Sequence, residues 1–143
     1  MIYATNRKAR YDYHVIKTFT AGISLLGTEV KSIRNGRISI QESFVAEQEG
    51  NLILRQAHVP EWGGSAFNHA PTRNRQLLLN KKEIREILEA ISRDGMTCVP
   101  LEVTNINGKI KVQIGLVKGK KNWDKRQAIK ERDVKRSLAR GEA

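Results

Sequence analysis

Lysine and arginine crowd the last twenty-six residues of this chain. Lys118 to Ala143 reads KGKKNWDKRQAIKERDVKRSLARGEA, with ten Lys/Arg against four Asp/Glu, which is +6 of the chain's +11. Cations at that density neutralise phosphates. Trp123, set among Lys120, Lys121, Lys125 and Arg126, adds a flat ring that can stack on an unpaired base or pack back on the body. The large apolar residues of the stretch, Trp123, Ile129, Val134 and Leu138, do not share one helical stripe, so it has no face to bury. A basic arm without a core points to a polyanion, most plausibly nucleic acid; a purely solvating tail is the alternative. Asp124 can start a helix in the arm, but charge on all sides leaves that helix in need of a partner. The arm is therefore expected to be flexible when free and helical once phosphates neutralise it.

Two further groups have the chemistry to meet RNA. Asn6-Arg7-Lys8-Ala9-Arg10 runs into Tyr11-Asp12-Tyr13, mixing phosphate-binding cations with aromatic rings that either stack on bases or pack along a strand. Asn68, Pro71, Thr72, Arg73 and Arg75 form a second basic loop that leads into Leu77-Leu78-Leu79-Asn80. Three consecutive leucines cannot all face inward, so at least one is presented at the surface.

Catalytic and metal chemistry finds little support. His14, His58 and His69 lie far apart with no ligand spacing, and a lone Cys98 provides neither an internal disulfide nor a thiolate-rich zinc site. Cys98 sits in an apolar alternating run and reads as a small core residue. Lys118-Gly119-Lys120-Lys121 lacks both the glycine spacing and the hydroxyl residue of a phosphate loop. Glu29 is a lone acid with no second carboxylate nearby for acid–base work. The pattern is that of a binding protein, with no catalytic residues, cofactor or metal expected.

The elements that must position these groups are mostly strands. At 143 residues, with 39% hydrophobic and 29% charged residues, the chain has the length of one folded domain. Tyr11 to Phe19 alternates as a strand, and Thr20 to Leu26 reads as a second, Gly-interrupted one. Ser43 to Glu47 and Leu52 to Val59 flank Glu49-Gly50-Asn51 as a hairpin. Asn107-Gly108 is the preferred dipeptide of a two-residue hairpin loop. That loop pairs Val103 with Val112, Leu101 with Ile114 and Val99 with Leu116. Thr28 to Asn35 is a short helix stopped at Gly36. A second helix starts at Asn80, with Glu83 completing a capping box, and buries Ile84, Ile87, Leu88 and Ile91 before Gly95. Trp62-Gly63-Gly64-Ser65 is a loop.

Many short strands with sparse helices predict a mainly β fold: an antiparallel β-barrel of the oligonucleotide-binding type with flanking helices and a basic C-terminal tail. A small α+β sandwich is the runner-up. The division expected is a body, residues 1–117, and a tail, residues 118–143. No apolar run approaches a membrane span, and the first residues lack a signal-peptide core, so a cytoplasmic protein is expected.

Four runs give the chain a family resemblance. They are Asn6-Arg7-Lys8-Ala9-Arg10; Gly27-Thr28-Glu29-Val30-Lys31-Ser32-Ile33-Arg34 with Gly36; Leu77-Leu78-Leu79-Asn80-Lys81; and Gly115 through Gly119-Lys120-Lys121 to Asp124-Lys125-Arg126. In this order and spacing they resemble the small protein B family, bacterial proteins that bind transfer-messenger RNA in trans-translation. The resemblance implies the barrel fold. It also implies delivery of the transfer RNA-like domain of that RNA to stalled ribosomes, with the basic tail entering the vacant decoding centre and message channel. The implied partners are transfer-messenger RNA and small-subunit ribosomal RNA, with no membrane and a monomer when free.

Glu29, Leu78 and Asn80 match family positions implicated in binding the transfer RNA-like domain. Together with Asn6, Arg7, Lys8, Arg10, Lys31, Arg34, Arg73 and Arg75 they make the expected RNA-binding set. Gly119, Lys120, Lys121, Asp124, Lys125 and Arg126 match the family's tail motif. Trp123 falls at an aromatic or histidine position expected to stack on ribosomal RNA. Ala70 and Gln76 depart from positions usually acidic and basic, respectively.

Overall fold

The structure, a computed structural model, describes residues 1–63 and 67–119. Seven antiparallel strands form one sheet in the order β1-β6-β7-β2-β5-β4-β3. They are β1 Ile2–Thr5, β2 Tyr13–Ile23, β3 Phe44–Gln48, β4 Asn51–Arg55, β5 Arg75–Leu78, β6 Thr97–Ile106 and β7 Lys109–Gly119. The helices are α1 Arg7–Asp12, α2 Gly27–Arg34 and α3 Lys81–Arg93. β3 packs against β6 with no ladder between them, so the sheet curls into a barrel that hydrogen bonds do not close. No helix among the described residues is long and apolar enough to cross a membrane.

The hairpins follow their turn chemistry. Asn107 and Gly108 take φ of 50° and 78°, and Glu49 and Gly50 take 53° and 79°, the left-handed pair a two-residue turn needs. Asn80 caps α3: its Oδ1 accepts the Glu83 N–H at 2.8 Å. Ile87 is buried, with Ile84, Leu88 and Ile91 packed beside it. Gly95, at φ 64°, follows the end of this helix.

Four expectations need correction. The run Arg7–Asp12 is helical, so Tyr11 does not open a strand. Asn6 decides this, because its Oδ1 accepts the Ala9 N–H at 3.0 Å and Ala9 is buried. The two strands expected between Tyr11 and Leu26 are one continuous β2, because β7 pairs along it from Tyr13 to Gly22. β4 ends at Arg55, and Gln56, at φ 65°, turns the chain away before Val59. Leu77 and Leu78 belong to strand β5 rather than to a helix entrance.

The β6–β7 register also differs in part. Val103 opposes Val112 as expected, but a bulge between Pro100 and Glu102 shifts the rest, so that Pro100 opposes Ile114 and Val99 opposes Gly115. A bulge reverses which face a strand's residues point to. Val103, Val112, Ile114, Cys98 and Leu116 therefore face the main core with Leu52, Leu54, Leu77 and Ile87. Leu101, Val99 and Val117 turn to the opposite side and pack under Ala9 of α1 with Tyr13. Burial pushes the Cys98 thiol up to about 12, in keeping with a core residue.

Gly115 makes room for the bulged side chain, since a Cβ there would stand 2.8 Å from Leu101 Cδ1. Leu101 is fully buried and has nowhere to retreat. Gly115→Ala is expected to destabilise the fold by about 1–3 kcal/mol as overpacking. Urea denaturation checks this, with a lowered midpoint and an unchanged slope as the expected outcome.

Candidate nucleic-acid interface

Glu29 sits in the first turn of α2, whose N-terminal residue before the helix, Leu26, has no capping side chain. The Glu29 carboxylate takes over, with Oε1 accepting the Leu26 N–H at 2.8 Å. That position places it in the interior, fully buried. Two arginines meet it there. Arg73 donates through Nη2 to Oε1 at 2.6 Å and through Nε to Oε2 at 3.3 Å, and Arg75 donates through Nε to Oε2. Arg75, also fully buried, spends its other nitrogens on the carbonyls of Ala57 at 3.0 Å and Pro71 at 3.2 Å.

In this network the buried charges are tolerated because the Glu29 carboxylate accepts four hydrogen bonds and each Arg75 nitrogen donates one. Burial alone would raise the Glu29 carboxyl, but the bonds from Arg73 and Leu26 and the charge of Arg75 hold it below the ordinary carboxylate range. Burial lowers the Arg75 guanidinium against the pull of Glu29, yet an arginine stays protonated. The three groups sum to a single positive charge. The exposed share belongs to Arg73, whose side chain is 33% accessible and also donates to Ser24 O at 3.2 Å.

A second set of bonds ties the loop before β5 to the same helix. His69 is buried, with Nε2 2.7 Å from Val59 O and Nδ1 2.8 Å from Thr28 Oγ1. A carbonyl can only accept, so Nε2 donates to Val59 O, and Nδ1 shares a hydrogen bond with the threonine hydroxyl. Ser32 Oγ donates to Pro60 O at 2.8 Å one turn further on.

Beyond this network β5 alternates: Arg75 and Leu77 point inward, Gln76 and Leu78 outward. Leu78 is 52% exposed. Gly22 of β2 lies opposite it, and a Cβ there would stand 3.2 Å from Leu78 Cβ and 3.5 Å from Lys111 Nζ. The result is an open groove of about 380 Å³ with Leu78 at one wall and Arg34, Lys109 and Lys111 around it. Arg34 reaches the β6–β7 turn, donating from Nη2 to Gly108 O at 3.0 Å. An aliphatic ridge ringed by cations can lie against an RNA surface and read it by shape while neutralising phosphates.

Of the residues singled out from sequence, Arg34 and Leu78 line this groove, while Glu29 and Arg75 lie inside and Arg73 surfaces on the β4 side of β5. Lys31 is exposed on α2, and Asn80 is exposed just past Leu78. Glu29 and Arg75 cannot touch a ligand directly; Glu29 holds Arg73, and Arg75 holds Glu29.

Asn6 is buried as well, donating to Ile40 O at 3.1 Å and Pro100 O at 2.9 Å. Arg7, Lys8 and Arg10 are exposed on α1, with Lys8 3.1 Å from Glu42 and Arg10 3.5 Å from Glu102. They stand at the other end of β2, where Tyr13 pairs with Gly119. At the rise of a strand, Tyr13 and Gly22 are about 30 Å apart. Lys120, Lys121, Trp123, Asp124, Lys125 and Arg126 lie outside the described residues.

Sequence reasoning missed Lys109, Lys111 and Gly22. The available signal was Lys109-Ile110-Lys111 after the Asn107-Gly108 turn, an alternation that puts both lysines on one face.

The SmpB protein family model matches residues 3–142 of the chain. An SsrA-binding protein of Bdellovibrio bacteriovorus is 45% identical over 135 residues, covering 94% of this chain and 89% of its own length. An SsrA-binding protein of Salinispora tropica is 47% identical over 140 residues, with 97% and 88% covered. A solved structure described as "tmRNA-SmpB: a journey to the center of the bacterial ribosome" matches with a TM-score of 0.68 and 41% identity, covering 82% of this chain and 83% of that one.

Proposed function

The chain belongs to the SmpB protein family, and from that premise we propose that it binds the transfer RNA-like domain of transfer-messenger RNA and delivers it to stalled ribosomes for trans-translation. It acts by binding and not by catalysis, in the cytoplasm. The observation that carries this reading is Leu78, a large aliphatic side chain held half in solvent above Gly22 and flanked by Arg34, Lys109 and Lys111. A half-exposed leucine is ordinary on its own, but set beside three cations in one groove it fits a surface shaped for an anionic partner with an apolar face.

The role assigned to each group follows from its place. Arg73 meets the RNA with Glu29 and Arg75 fixing its guanidinium, while Leu78 packs on the RNA surface. Asn80 caps α3 and presents its amide edge next to Leu78. Lys31 and Arg34 take phosphates from α2. Arg7, Lys8 and Arg10, with Asn6 holding their helix, contribute at the far end, where the arm begins. Residues 1–117 are the RNA-binding body. Residues 118–143 are the arm that enters the decoding centre and message channel, with Lys120, Lys121, Lys125 and Arg126 on ribosomal phosphates, Trp123 stacking on a base, and Gly119 and Asp124 completing the motif, Asp124 as the start of a helix.

Leu78→Ala tests the groove. It removes apolar area that is already half exposed, so the melting temperature should stay within about a degree or two of the parent. Affinity for the isolated transfer RNA-like domain should fall about tenfold, the equivalent of about 1.4 kcal/mol. Random RNA of the same length should be bound as before. Equal losses on both RNAs, measured by filter binding at fixed salt, would remove the groove from the reading.

A further inference from the structure

On the other side of β5 from the groove lies a polar cleft of about 320 Å³, lined by Gln48, Glu49, Arg73, Asn74 and Gln76. We propose that it is a second subsite of the same RNA surface, and that it takes one unpaired nucleobase bearing an exocyclic amino group. The inference rests on the reading that the Leu78 groove holds RNA.

Gln76 and Leu78 are both exposed at alternate positions of β5, so they share a sheet face about 7 Å apart, a distance that neighbouring nucleotides of an unstacked, extended strand can span. Ser24 N donates to Gln76 O at 2.9 Å, keeping β2 beside β5 on the cleft side of Gly22 and Leu78. A strand of RNA laid along Leu78 passes over Gln76 next.

The lining is chosen for a base and against a phosphate. Arg73 forms one wall, and its guanidinium is already fixed by Glu29 and by Ser24 O. Among the described residues, the side-chain amides of Gln48, Asn74 and Gln76 make no hydrogen bond, so their donors and acceptors are open to a ligand. Glu49 stands at the rim on the β3–β4 turn. A carboxylate there repels a phosphate but accepts from an amino group. Adenine, cytosine and guanine carry such a group beside a ring nitrogen or carbonyl that an amide or guanidinium can bond; uracil carries none. Uracil offers the Glu49 carboxylate only a ring N–H set between two repelling carbonyl oxygens, so the cleft favours the amino bases over it.

The test uses the full chain, labelled with nitrogen-15, titrated with short oligo(A), oligo(C) and oligo(U). The side-chain amide resonances of Asn74 and Gln76 should move with oligo(A) and oligo(C) and hold still with oligo(U). Glu49→Gln and Gln76→Ala should each weaken oligo(A) binding about fivefold, to the level of oligo(U). Both positions are exposed, and circular dichroism melts confirm that the variants fold. Equal movement with all three oligomers overturns the proposal, as does no movement with any, or an unchanged preference in both variants. Leu78→Ala is assayed in parallel on the transfer RNA-like domain. If that variant loses affinity while the oligo(A) preference survives Gln76→Ala and Glu49→Gln, the groove stands and the cleft falls. If Leu78→Ala binds normally, the groove reading falls, and the cleft is judged by its own oligonucleotide preference.

Discussion

Glu29→Ala is expected to lose about 3–5 kcal/mol of stability, because it leaves Arg75 charged, buried and without its carboxylate. The effect has two further signatures. The first is in acid. The folded Glu29 carboxyl lies below the ordinary value of 4.5, so the unfolded chain binds its proton first. Its contribution is therefore complete above about pH 5 and is lost as the pH falls through the depressed folded value. Parent stability should drop steeply below pH 4.5, while Glu29→Gln, with nothing to titrate, should show a shallower fall from a lower start.

The second signature is in binding. Arg73 loses the group that fixes it, so the transfer RNA-like domain should be bound weakly even at temperatures where the variant is fully folded. Denaturation at several pH values, with filter binding well below the melting temperature, measures both. A variant as stable as the parent at pH 7 would contradict the buried network.

Deleting the chain from Lys120 onward has the largest expected effect on activity and almost none on the fold. The described residues up to Gly119 contain both hydrophobic clusters, so the truncated body should melt within a few degrees of the parent. Affinity for the isolated transfer RNA-like domain should change by less than about threefold at physiological salt, with a salt slope shallower by about 0.7 for each unpaired-RNA phosphate contact the arm had made. Peptide tagging on stalled ribosomes should fall to background. Trp123→Ala should reproduce part of the defect, since base–aromatic stacking is worth about 1–3 kcal/mol. A reconstituted tagging assay reads the outcome, and full tagging by the truncated chain would sink the assignment of the arm to the decoding step.

Local chemistry was legible where a few adjacent residues decide the structure. The Asn107-Gly108 turn, the Asn80–Glu83 capping box and the impossibility of burying three leucines in a row all lie within short windows. What escaped depends on residues far apart. Glu29 looked like a lone acid because its partners are 44 and 46 residues away. The Leu101 bulge left no mark in an apolar alternation that fits either register, and its room is made by Gly115 on another strand. The α1 helix was hidden by Tyr11, whose strand preference is overruled by the Asn6 cap and the burial of Ala9, whereas Tyr13 does open β2. The sequence did not reveal which residues of the proposed RNA-binding set are buried: Asn6, Glu29 and Arg75 lie inside, behind exposed cations.

The long β2–β7 ladder carries a mechanical consequence. Leu78 sits by its Gly22 end and the arm departs from its Tyr13 end. Bulges in β2 and β6 lock this ladder and its neighbour in register, so the two ends cannot slide. The barrel thus behaves as a strut of fixed length: RNA held in the proposed groove would be set at a constant offset from Gly119 at the other end. Adding a pair of residues to each of β2 and β7 would preserve every inward side chain yet lengthen the strut by about 7 Å, putting an intact groove and an intact arm out of step with each other.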